Sequence, residues 1–176
     1  MMTSLIFLLD RSGSMEMCWD DTIGGFNAFV ADQKNVRPED TLTLVQFDHE
    51  IIKTFENVKL HSVQPLTRET FVPRGTTALL DAIGSVLTVD PPSGSVLFII
   101  LTDGEENASK TYTKAHIKDL MKQKQKDGWS VMYLGANQDA FAEAGSIGIA
   151  KADTLNYDPA RTPELFHRLS QTVTRR

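Results

Sequence analysis

Asp10, Ser12 and Ser14 alternate within Asp10-Arg11-Ser12-Gly13-Ser14, a segment that puts one carboxylate and two hydroxyls into a tight turn eased by Gly13. A second carboxylate closes another apolar run, in Leu101-Thr102-Asp103-Gly104. A third segment, Arg74-Gly75-Thr76-Thr77, opens a helical pattern and can bring a threonine hydroxyl, from Thr77 or its neighbour Thr76, to the same place. All of these donors are oxygens. No second cysteine and no histidine cluster accompanies them, so they suit a hard cation, Mg2+ with Mn2+ or Ca2+ as substitutes, rather than zinc or copper. Two carboxylates balance a divalent charge, and neutral hydroxyls leave the ion electrophilic toward an outside carboxylate.

Such groups meet only if the strands before them end at one edge of a sheet. Ser4 to Leu9 and Val96 to Leu101 are continuous apolar runs, the pattern of central parallel strands buried on both faces. Leu42 to Phe47 reads as a strand, and Ile51 to Phe55 as its antiparallel neighbour across Asp48-His49-Glu50, forming one edge of the sheet. Helical patterns run from about Thr22 to Gln33, Thr77 to Leu87 and Thr113 to Lys126. Beyond Asp127-Gly128 come a strand from Trp129 to Leu134, a short helix at Ala140 to Ala144 and a weak strand near Thr154-Leu155. A last helix, from about Pro163 to Thr174, gathers Leu165, Leu169 and Val173 on one face. The alternation predicts one α/β domain over residues 1–176: a Rossmann-like, doubly wound, mostly parallel sheet with one antiparallel edge strand and helices on both faces. Ligands of such sheets bind beyond the carboxyl ends of the strands, where the winding reverses.

Over essentially its whole length the chain resembles the von Willebrand factor type A domains with their metal-ion-dependent adhesion site. The family's Asp-x-Ser-x-Ser element corresponds to Asp10, Ser12 and Ser14, its threonine to Thr77 and its later aspartate to Asp103. The tracts Arg74 to Ile83 and Thr102-Asp103-Gly104-Glu105-Glu106-Asn107 are similar to compact bacterial or phage members. The resemblance implies metal held directly by the hydroxyls, with one or both aspartates acting through water. It also implies a non-enzymatic module that binds a partner protein's Asp or Glu through the metal.

The rest of the sequence narrows the alternatives. A net charge of -5 argues against a partner held by phosphate contacts, so nucleic acid is not expected and an RNA-associated scaffold role has little support. One cysteine, Cys18, excludes an internal disulfide, and the apolar opening lacks a basic flank and reads as a strand rather than a leader. No apolar run spans a bilayer, and a cytoplasmic protein is the expectation. The competing class is a Mg2+-dependent phosphatase or other phosphate-handling enzyme. It lacks its partners here: no second aspartate two residues after Asp10, no phosphate loop and no nucleophile elbow. Asp48 and Asp139 also follow strands on the predicted site edge; the alternatives are shaping its rim or solvation in a loop, and both are read as solvated loop residues outside the metal's ligand set. His49, His61, His116 and His167 receive no role, and the lysines from Lys110 to Lys126 read as a solvated helix face. Trp129 is expected in the core, and Trp19 in core or rim.

Overall fold

The computed structural model describes residues 1–90, 94–103, 105–136 and 139–176. Among these residues, six strands form one sheet: β1 (Thr3–Asp10), β2 (Thr41–Phe47), β3 (Ile51–Lys59), β4 (Ser95–Thr102), β5 (Ser130–Gly135) and β6 (Thr154–Asn156). Their order is β3-β2-β1-β4-β5-β6, and every pairing is parallel except β2 with β3. Among the described residues, five α-helices complete the fold: α1 (Trp19–Val36), α2 (Leu79–Leu87), α3 (Lys114–Lys126), α4 (Ala140–Ser146) and α5 (Thr162–Thr174).

The continuous apolar character of β1 follows from burial on both sides. Leu5, Phe7 and Leu9 point to the layer of α1 and α5, where the Phe7 ring meets Phe26 edge-on at 5.3 Å and stacks over Phe166 at 6.3 Å. Ile6 and Leu8 point the other way, into the layer with Leu80, Ile83, Ile117 and Met121 of α2 and α3. Strand alternation thus splits one sequence run between two cores. Trp129 is buried against Phe98, as expected. Trp19 is half-buried at the rim, its indole N–H donating to the Phe71 carbonyl at 2.7 Å.

The boundaries differ from expectation where tertiary contacts intervene. α1 begins at Trp19 after a 3-10 turn over Gly13–Cys18, and β3 continues to Lys59 through an irregular register against β2. α2 begins at Leu79 and not at Thr77, because the Thr77 backbone is engaged outside the helix. Of the loop Pro91-Pro92-Ser93-Gly94, residues 91–93 lie outside the described residues. Among the described residues, no helix is long and apolar enough to cross a membrane.

Candidate metal centre

β1 and β4 run side by side with Leu9 opposite Leu101, so Asp10 and Asp103 leave the sheet at neighbouring points of its carboxyl edge. The winding reverses here, because β2 and β3 lie on one side of this pair and β5 and β6 on the other.

Asp10 is fully buried and both of its oxygens are engaged. The Ser12 backbone N–H donates to Oδ1 at 2.7 Å, and the Thr102 hydroxyl donates to Oδ2 at 2.8 Å. The Ser14 hydroxyl donates to Asp103 Oδ1 at 2.8 Å and lies 3.1 Å from the Ser12 hydroxyl, so three of the sequence-predicted residues form a connected set of oxygens, joined to Asp10 through the Ser12 backbone N–H. Burial raises the Asp10 carboxyl above its usual range, against the lowering effect of its hydrogen bonds. Asp103 is pushed up to about 6, first by burial and then by the charge of Asp10. The charge of Asp10 therefore makes Asp103 costlier to ionise. Arg11 does not relieve them, because it pairs with Asp48 instead.

The Thr77 loop is brought to this turn through the backbone. The Gly13 N–H donates to the Gly75 carbonyl at 3.0 Å, and the Arg74 N–H to the Arg11 carbonyl at 2.7 Å. Gly75 has φ +69, and a Cβ there would stand 2.4 Å from His49 Nδ1, which accounts for glycine at this position. Thr77 is buried and Thr76 exposed. The Thr77 N–H donates to Asn107 Oδ1 at 2.9 Å, while its carbonyl accepts from the N–H groups of Asn107 and Ala108. Its hydroxyl makes no hydrogen bond among the described residues.

Among the described residues, no group of three or more His, Cys, Asp or Glu is placed to hold a metal. A cation here would draw on the hydroxyls as well as on two carboxylates that repel one another, a donor set that fits Mg2+ or Mn2+. Gly104, which follows the second aspartate, lies outside the described residues.

The von Willebrand factor type A domain family matches residues 4–170 of the sequence. The chain belongs to that family. The fold of this vWA domain recurs in solved structures of low sequence identity. The vWF domain of the type V pili tip protein Mfa5 from Porphyromonas gingivalis superposes with TM-score 0.73 at 11% identity, over 98% of this chain and 95% of that one. Proximal thread matrix protein 1 from the mussel byssus superposes with TM-score 0.71 at 16% identity, over 98% of this chain but only 46% of its own. The manganese-loaded TRAP protein of Plasmodium vivax gives TM-score 0.65 at 18% identity, over 93% of this chain and 71% of that one. No curated protein sequence matches the chain.

One reading of the sequence is corrected in this vWA domain. Asp48 is not a solvated loop residue: it is fully buried, with Arg11 Nε 3.1 Å and Arg74 Nε 2.8 Å from its Oδ2. The signal in the sequence is Arg11 inside the Asp10–Ser14 motif, whose charge, once buried, requires an anion nearby; the half-exposed Arg74 joins the same carboxylate. Asp139, the other strand-end aspartate, is exposed as expected. In the sequence Asn107 stands only within a family-like tract, yet its side chain holds the Thr77 backbone. Burial pushes the Cys18 thiol up, in keeping with an inert side chain.

Proposed function

We propose that this vWA domain is a non-enzymatic, metal-dependent interaction module whose metal is held by Asp10, Ser12, Ser14, Thr77 and Asp103. vWA domains typically mediate protein–protein interaction. The observation that supports metal dependence here is the connected set Ser12, Ser14 and Asp103 beside the buried carboxylate of Asp10. Mg2+ is the expected ion, with Mn2+ and Ca2+ as substitutes, and the manganese-loaded TRAP protein is a structural neighbour. When bound, the ion supplies a positive centre to which an outside carboxylate coordinates. Asp10 and Asp103 supply two negative charges, so the site does not over-compensate a divalent ion and stays attractive to an Asp or Glu of a partner protein.

Calorimetric titration of the wild type and Asp10→Ala with Mg2+ and Mn2+ tests this reading. Binding by the wild type and none by Asp10→Ala is expected, whereas equal binding by both reduces Asp10 to a turn residue. The enzyme alternative is checked on the same samples: Mg2+-dependent hydrolysis of a nucleoside triphosphate or phosphomonoester that disappears in Asp10→Asn would replace this proposal.

A further inference from the structure

Three loops meet on Asp48. Its own loop is closed by the Glu50 N–H donating to Asp48 Oδ1 at 2.6 Å. The Asp10–Ser14 turn reaches it through Arg11, and the Gly75–Thr77 loop through Arg74 and through the Ala78 N–H, which donates to the Asp48 carbonyl at 2.9 Å. Arg74 also pairs with Glu50 at 2.7 Å, and His49 Nδ1 lies 3.5 Å from Asp48 Oδ1. Arg11 is the unusual member. Its guanidinium is buried, yet its Nε and Nη2 make no hydrogen bond among the described residues, so the charge of Asp48 is what holds it. That buried positive charge sits inside the motif, between Asp10 and Ser12, where it would oppose a cation.

We propose that Asp48 is a positioning residue of the metal centre: it holds the Asp10–Ser14 turn and the Gly75–Thr77 loop in register and cancels the charge of Arg11. The inference rests on the metal-binding reading above and adds Asp48, Arg11 and Arg74 to it, none of them a ligand. Arg11, Arg74, Asp48 and Glu50 form a charge-balanced set, so the arginines lock the loops together without repelling the ion. With Asp48 neutralised, Arg11 is left buried and unpaired beside Asp10.

The test is Mg2+ titration of the wild type, Asp48→Asn, Arg11→Met, the double variant R11M/D48N and Arg74→Met, with amide hydrogen exchange on the same metal-free proteins. D48N should bind Mg2+ at least tenfold more weakly. R11M/D48N should recover part of that loss, because the unpaired charge is gone. Arg74 is half-exposed, so Arg74→Met tests the loop contact without a buried replacement, and it should cost a few-fold in affinity and loosen the Gly13 amide. Asp40 is a buried carboxylate that accepts the Thr3 N–H at 2.9 Å, at the start of β1, the strand end opposite Asp10. Asp40→Asn should therefore lower the melting temperature and leave Mg2+ affinity unchanged. Wild-type affinity in D48N, or a double variant as weak as the two losses added, overturns the proposal. If the wild type takes up no metal, the functional reading fails by itself, and this inference is then decided by exchange: unchanged protection of the Gly13 and Ala78 amides in D48N overturns it.

Discussion

Asp103 contributes to the pH dependence of the site in the same direction as Asp10. Its carboxyl takes up a proton at about 6 in the fold against an ordinary value of 3.8, so between those values the folded chain binds more protons than the unfolded one. Stability of the metal-free domain therefore falls as pH rises through this window. Asp103→Asn removes that cost and should raise the metal-free melting temperature at pH 7 by about 2–4 °C, the shift expected of roughly 1 kcal/mol in a domain of this size. At pH 4 the two proteins should melt alike; a variant less stable than wild type at pH 7 would show that burial of Asp103 is not a cost. Protons and metal also compete for this carboxylate, so Mg2+ affinity of the wild type should weaken as pH falls below about 6, which titrations at pH 5 and pH 7.5 would read.

Packing between elements is most sharply tested where α1 crosses α5. Gly24 and Gly25 are neighbours on α1, but a Cβ on Gly25 would stand 2.3 Å from the Phe166 ring of α5, while a Cβ on Gly24 meets nothing within 4 Å. Gly24→Ala should thus stabilise the domain by about 0.5–1 kcal/mol through helix propensity. Gly25→Ala should destabilise it by about 1–3 kcal/mol through overpacking against Phe166. Urea unfolding of the two variants gives opposite shifts in midpoint if this contact is as close as described. The start of α2 was less legible than the middle of α1. The run from Leu79 to Leu87 has helical period, but Thr77 is withheld from the helix by Asn107, a residue 30 positions away.

For the whole molecule, ligand binding to the folded state alone raises stability by mass action. At Mg2+ about one hundred times its dissociation constant, the gain is about 2.7 kcal/mol. In a chain of this length that is an increase of roughly 5–10 °C in melting temperature. Thermal scans with Mg2+ and with chelator should show this shift in the wild type and none in Asp10→Ala. A shift of equal size in both proteins would place the stabilising ion elsewhere.

The sequence by itself determined what depends on local period and on residue chemistry. Two apolar runs buried on both faces required a parallel sheet core, and Asp10 and Asp103 at their ends required neighbouring positions once those runs paired as β1 and β4. The all-oxygen donor set followed from residue types alone. Only the tertiary structure decided between Thr76 and Thr77 at the buried position, because that depends on where Asn107 and Gly13 anchor the loop. Only the tertiary structure turned Asp48 inward, since its partners Arg11 and Arg74 lie on separate loops and the solvation of a carboxylate is set by what surrounds it in space. A period of two or of 3.6 shows which face is apolar; it carries no information on which charges from distant segments will be buried together.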